Sequence, residues 1–275
     1  MKIAVWSPVP FAGRKSTNLL LFALQAVAED GGEQLVIHAD PEGSGLEHFL
    51  LSGNHRRRMM KHKEFGVDLL CRLLHCQRFT KEAVINASYS FAEGKLHVLP
   101  PGQRCFYEGK ETEAAKELLG ILQYTGEVFQ NVWVELPAGE SEFTKRILSE
   151  ADCVIVNLAQ RSCDVVNIEH LPPFKQEFFL LGAYEQRCVY SMHNMMLLFP
   201  RLRKKCGAIP YHTGYFSACC AGEAENFWLR GIGDEVGKEK DSFFRAVKKA
   251  YDKWKAGDTS DCVEVIEEKT KSKTS

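Results

Sequence analysis

The chain opens on a short apolar run, Lys2-Ile3-Ala4-Val5-Trp6, then turn-forming residues from Ser7 to Gly13, then a stretch over residues 16–29 whose apolar positions recur with a helical period. Gly31-Gly32 stops that helix. Gln34-Leu35-Val36-Ile37-His38 reads as a strand buried on both faces, followed by the turn segment Asp40-Pro41-Glu42-Gly43-Ser44-Gly45. Strand, helix and strand at this spacing predict a βαβ unit with a right-handed crossover. Residues 46–95 read as mostly helical, with an apolar-periodic helix beginning at Gly66-Val67-Asp68-Leu69-Leu70.

Alternation then resumes. The strand Leu96-His97-Val98-Leu99 runs into Pro100-Pro101-Gly102; a helix is predicted over 113–122, a strand at Asn131-Val132-Trp133-Val134-Glu135, a helix over 142–150 and a strand over 152–157. Phe178-Phe179-Leu180-Leu181-Gly182 is a further strand, with a helix from about Ser191. This order predicts an α/β fold over residues 1–235, doubly wound, with a mostly parallel sheet and helices on both faces. Residues 236–275 form a second segment, a helix over 241–255 and a polar tail. That helix places Phe243, Phe244, Val247, Tyr251 and Trp254 at helical spacing. The commoner fate of such a stripe is burial on the protein's own core; a membrane-surface or partner helix is the alternative.

Composition narrows the class. The 275 residues carry 35 Lys and Arg against 36 Asp and Glu, a formal net charge of −1, which excludes a histone-like or tail-driven nucleic-acid binder. With 45% hydrophobic and 26% charged residues the chain can bury a core and is not of the disordered type. No apolar run approaches the roughly 18–20 residues that cross a bilayer, and no signal-peptide pattern is present, so a cytoplasmic protein is expected. The 10 cysteines include no C-x-x-C pair, which removes the usual zinc and iron–sulfur spacings. Most of them read as small buried apolar residues, with His75-Cys76 and Cys219-Cys220 left unexplained; His193 and His212 read as ordinary histidines.

Candidate chemistry gathers at the loop after the first strand, because ligands of a doubly wound sheet bind at the carboxyl ends of strands. Ala12-Gly13-Arg14-Lys15-Ser16-Thr17 stands there. A phosphate-binding loop needs bare backbone amides, a lysine for the outer phosphates and a Ser or Thr hydroxyl for Mg²⁺ at the helix start. Lys15-Ser16 supplies the last two. Against G-x-x-x-x-G-K-[ST], however, the glycine positions hold Val9 and Arg14, so Gly13 would have to serve in a shifted register. A plain strand-to-helix turn capped by Ser16 explains the segment equally well.

Further landmarks recur in order: His38-Ala39-Asp40-Pro41-Glu42-Gly43, Gly66-Val67-Asp68-Leu69-Leu70, Leu96-His97-Val98-Leu99-Pro100-Pro101-Gly102, Val132-Trp133-Val134-Glu135-Leu136-Pro137-Ala138-Gly139, Glu150-Ala151-Asp152-Cys153-Val154-Ile155-Val156 and Ile209-Pro210-Tyr211. Over about residues 1–230 this series resembles the landmarks of the ParA/MinD family of P-loop ATPases, bacterial proteins that position cellular cargo. The resemblance implies ATP and Mg²⁺ as cofactors, with Gly13, Arg14, Lys15, Ser16 and Thr17 at the nucleotide, Ser16 on the metal, and Asp40 and Glu135 in catalytic positions. It also implies a homodimer, protein partners of a localisation or assembly system, and nonspecific DNA binding through basic surfaces. The candidates for the last are Arg56-Arg57-Arg58 with Lys61 and Lys63, and Arg201-Leu202-Arg203-Lys204-Lys205.

The departures point one way. The family's signature lysine falls at Pro10, the first aspartate after the second strand at His38, the Walker B aspartate at Glu135, and the base-contacting asparagine near Gly182-Ala183. Phosphoryl transfer depends on positioning and charge neutralisation, so these changes imply weak or absent hydrolysis. The expectation is a degenerate member, most similar to the pilus-localising TadZ/CpaE branch. The alternative is an active ATP-dependent dimerising switch that binds DNA or membrane.

Overall fold

A computed structural model of the chain describes residues 1–10, 12–40, 45–52, 65–101, 110–161, 169–233 and 242–257. The strands are β1 (Lys2–Trp6), β2 (Gln34–His38), β3 (Tyr89–Phe91), β4 (Leu96–Leu99), β5 (Asn131–Glu135), β6 (Cys153–Leu158), β7 (Glu177–Tyr184) and β8 (Cys206–Pro210). The helices are α1 (Lys15–Asp30), α2 (Val67–His75), α3 (Lys81–Asn86), α4 (Glu111–Val128), α5 (Glu142–Glu150), α6 (Met192–Leu198), α7 (Thr213–Ala221), α8 (Ala224–Gly233) and α9 (Ser242–Ala256). One sheet runs β3-β4-β2-β5-β1-β6-β7-β8, parallel throughout except for the antiparallel edge strand β3. The α/β expectation holds.

The sheet carries a core on each face. One joins Leu35, Ile37, Val132 and Val134 to Leu118, Ile121, Phe143 and Ile147 of α4 and α5. The other joins Ile3, Val5, Trp133 and Ile155 to α1 and α9. The apolar stripe of α9 is part of this second core. Trp254 packs with its ring centroid 5.2 Å from that of Trp133, and the Tyr251 hydroxyl donates to Asp30 at 2.9 Å.

Three elements differ from expectation. The described residues of 46–95 include, besides helical segments, the strand β3, which the sequence did not announce; a three-residue strand is too short to print a period of two. Helix α4 continues past Leu122 to Val128, through Gly120 and Gly126, because its apolar face packs on α5 and the sheet and tertiary burial outweighs glycine's weak propensity. Strand β8 goes unread in the sequence, broken by Gly207, where a Cβ would stand 2.8 Å from the Phe178 ring and 3.1 Å from Ala250.

The basic cluster at Arg56 to Lys63 lies outside the described residues. The second cluster is partly spent on the fold. Arg201 is held against Glu177 at 2.8 Å and donates to the carbonyls of Leu171 (2.7 Å) and Pro172 (3.1 Å), with only 12% of its side chain exposed. It is therefore a clamp across the β7 edge and not a free phosphate contact. Arg201→Ala should destabilise the chain by about 3 kcal/mol in chemical denaturation, because it strands Glu177 in a site with 6% exposure.

Candidate phosphate-binding loop and its buried carboxylates

The chain moves outward from the centre of the sheet in both directions, so the connection from β5 to β6 passes over β1 and a crevice opens at the carboxyl ends of these strands. Every candidate site residue lies at or near it. The loop after β1 turns into α1 through two consecutive left-handed residues, Gly13 (φ 63°) and Arg14 (φ 54°). A Cβ at Gly13 would lie 2.6 Å from the carbonyl oxygen of Leu158, so glycine is required there by space as well as by conformation. At Arg14 a side chain with a Cβ does adopt the strained conformation, at a cost of roughly 1–2 kcal/mol. Its guanidinium is stacked over the rings of Tyr211 (4.9 Å) and Phe216 (4.8 Å), which offsets part of that cost.

Asn18 anchors the loop from below, donating to the Gly13 carbonyl at 2.6 Å and to Asn157 Oδ1 at 2.9 Å. Thr17 Oγ1 donates to the Arg14 carbonyl at 3.0 Å. Arg14 is itself the residue before the first helical position, so Ser16 does not cap α1. Its hydroxyl turns inward and donates to Glu135 Oε1 at 2.5 Å. Lys15 also turns inward: Nζ donates to Asp40 at 2.7 Å and to the Leu136 carbonyl, and lies 3.8 Å from Glu135. Lys15, read from the sequence as a phosphate contact, is thus 9% exposed and paired, its charge taken up by carboxylates from two neighbouring strand ends.

Glu135 is fully buried and its Oε2 has no hydrogen-bond partner. Opposite it at 3.9 Å stands His38 Nε2, also buried and also without a partner. His38 Nδ1 lies 3.0 Å from Glu47 Oε2. Burial alone would lower the histidine's pKa, but the hydrogen bond to Glu47 and the charges of Glu135, Glu47 and Asp40 outweigh it and the net shift is upward. Burial likewise pushes the Glu47 carboxyl up, yet its bond to His38 brings it below the usual value. A raised histidine stabilises the fold below its unfolded pKa of about 6.5, and that contribution is lost as pH rises through the folded value. Thermal stability should therefore fall as pH rises above about 6.5, and the slope should flatten in His38→Gln; a wild-type profile that does not fall over that range would contradict the ion pair.

The donor set suits a magnesium–nucleotide complex. Hard divalent cations take oxygen ligands, and a hydroxyl (Ser16) and a buried carboxylate with an unpartnered oxygen (Glu135) meet beside Asp40. The start of α1 with Lys15 and Arg14 is the complementary place for phosphate. Beside it, Arg14, Ala183, Pro210 and Tyr211 line a small cavity of about 20 Å³, room for one water. Among the described cysteines, Cys71, Cys153, Cys206 and Cys219 are buried, and burial pushes the Cys206 thiol up to about 12, which makes it inert; Cys76 and Cys220 are exposed. His212 caps α7, accepting from the Tyr215 amide at 3.0 Å.

No protein-family model matches the chain, and no curated protein matches it. Solved structures do. The chain is similar to a ParA family ATPase from Chlorobium tepidum TLS, with a TM-score of 0.69 at 11% identity over 91% of this chain and 96% of that one. It is similar to the MinC:MinD cell division protein complex of Aquifex aeolicus, with a TM-score of 0.64 at 16% identity over 94% and 97%. A putative plasmid partition protein from Borrelia burgdorferi B31, bound to AMPPNP, gives a TM-score of 0.60 at 14% identity over 93% and 98%. The fold is the one these ParA and MinD structures have, shared along most of the chain. No helix among the described residues is long and apolar enough to cross a membrane.

Proposed function

We propose that this chain is a degenerate ParA/MinD-like nucleotide-binding protein that acts in spatial positioning or assembly, of the pilus or partition type, with weak or absent ATP hydrolysis. The observation that carries the reading is the convergence of Lys15, Ser16, Asp40 and Glu135 at one crevice, in a form where they satisfy one another. Gly13 and Arg14 form the turn that leads into them, and Thr17 follows in the first turn of α1. Phosphate has to exchange the buried Lys15–Asp40 pair, and a base has to displace Arg14 from its aromatic rings. Both costs come out of binding energy, which favours slow engagement over rapid turnover. Support for the cofactor comes from the AMPPNP-bound partition protein of the same fold, and support for a protein partner from the MinC:MinD complex.

In this reading Asp40 and Glu135 are the catalytic positions, Ser16 the metal-binding hydroxyl, and ATP with Mg²⁺ the cofactors. The protein is cytoplasmic, works as a homodimer with components of a localisation or assembly system, and touches DNA nonspecifically. Residues 1–235 form the nucleotide-binding domain and 236–275 its C-terminal extension. Titration with a fluorescent ATP analogue, run beside a phosphate-release assay, tests it. Saturable binding with little turnover is expected. Sustained turnover that Lys15→Ala abolishes would overturn the degenerate reading in favour of an active ATP-dependent switch.

A further inference from the structure

With Arg201 spent on Glu177, the rest of its basic cluster stands beside an apolar face that the described residues leave uncovered. Leu197 and Leu198 of α6 are 59% and 61% exposed, and Val189, just before the helix, is 77% exposed. They form one patch. Asn194 donates to the Val189 carbonyl at 2.7 Å, and Leu198 lies one turn further along the same helix face. At the far end Arg203 Nε donates to the Met196 carbonyl at 3.1 Å, which brings it to the rim beside the two leucines, with Lys204 and Lys205 following in the chain. Among the described residues no carboxylate pairs with these three cations.

A surface made for nucleic acid is polar and densely basic. Three cations beside exposed leucines and a valine suit instead an acidic segment that carries apolar residues of its own. The chain contains one. Over 258–275, outside the described residues, the apolar residues of the sequence are Cys262, Val263, Val265 and Ile266, set among Asp261, Glu264, Glu267 and Glu268.

The fold leads this segment toward the patch. Helix α9 runs from Phe243, whose ring centroid lies 4.7 Å from that of His212 just after β8, to Ala250, which faces Gly207 near the start of β8. Continued to Gly257, it heads for the residues that precede β8, and those are Arg203, Lys204 and Lys205. From Gly257 an extended chain reaches Asp261 within about 14 Å and Glu268 within about 37 Å. Since β8 is the edge strand, the segment has a single strand to round between α9 on one face of the sheet and α6 on the other.

We propose that residues 261–268 fold back onto the face formed by Val189, Leu197 and Leu198, with their carboxylates on Arg203, Lys204 and Lys205, and so withhold this basic patch from phosphate. This holds whether or not nucleotide binds.

Carbodiimide, which joins an amine to a carboxylate only in direct contact, tests it on the full chain, with the products mapped by mass spectrometry. Lys204 or Lys205 should couple to Glu264, Glu267 or Glu268, and within one chain when isotope-labelled and unlabelled protein are mixed. Leu197→Ser with Leu198→Ser should lower the yield at least about threefold, because two leucine side chains lost from a buried contact weaken docking by more than a factor of ten. Val265→Ser with Ile266→Ser changes no described residue and should lower it likewise, and both double variants should gain affinity for duplex DNA at low salt. No such coupling, or a yield indifferent to both double variants, would overturn the proposal. Coupling only between labelled and unlabelled chains would overturn it in favour of a second copy as the occupant. A wild-type chain that binds duplex DNA through Arg203 and Lys204 as tightly as the serine variants do would overturn it in favour of a nucleic-acid face.

Discussion

Replacing Gly182 with alanine should lower the stability of the chain by about 3 kcal/mol and dislodge the loop before α1. A Cβ at this position would stand 1.7 Å from the Gly13 carbonyl oxygen and 2.5 Å from Asn18 Nδ2. The first neighbour is backbone, and the second is a buried side-chain end held by two hydrogen bonds. The Gly13 carbonyl belongs to the left-handed turn, and Asn18 is the side chain that holds it. Overpacking of this kind costs typically 1–3 kcal/mol, and a backbone contact this close belongs at the upper end. In a domain of this size that corresponds to about 6 °C or more in melting temperature. The effect should extend to binding, because Asn18 and Gly13 are displaced together: affinity for the ATP analogue should drop even below the melting transition. A variant that melts with wild type would show that β7 and the loop are not packed as described.

Lys15→Met should destabilise the chain without any ligand present. Lys15 is one of the few cations placed against Asp40 and Glu135, with side-chain exposures of 9%, 10% and 0% for the three. Removing one member of a buried charged pair costs about 3–5 kcal/mol, mostly because the remaining charge loses its partner. Adding Asp40→Asn should therefore recover part of the loss, and the double-mutant cycle should return a coupling energy of about 1–3 kcal/mol. Nucleotide affinity should fall in Lys15→Met by roughly 10–100-fold, the worth of one hydrogen bond to a charged group. Additive single and double effects would show that the lysine spends its time in solvent.

How much of this was legible beforehand differs by element. The parallel strands other than β8 were readable because burial on both faces leaves an unbroken apolar run, as in Val132-Trp133-Val134 and Val154-Ile155-Val156. That the candidate residues would gather at the carboxyl ends of the strands was readable as well, since strand order sets where such loops meet. What no pattern gave was the direction of the polar side chains. Ser16 read equally as a metal-binding hydroxyl or a cap, Lys15 as a phosphate contact and Arg201 as a candidate nucleic-acid contact. Each instead points to a carboxylate 24 to 119 positions away.

The sequence by itself determined the alternation of strands and helices, and with it the doubly wound class and the crevice after β1. These depend on local periodicity and on burial, which every residue reports for itself. Only the tertiary structure decided the state of that crevice. Gly13 and Gly182 must touch, Lys15 must find Asp40, and His38 must face Glu135 across 3.9 Å. Such pairings join segments far apart in the chain, so no single residue's propensity encodes them. They are fixed when the sheet brings the ends of β1, β2, β5, β6 and β7 together, and the electrostatics of the site follow from that meeting.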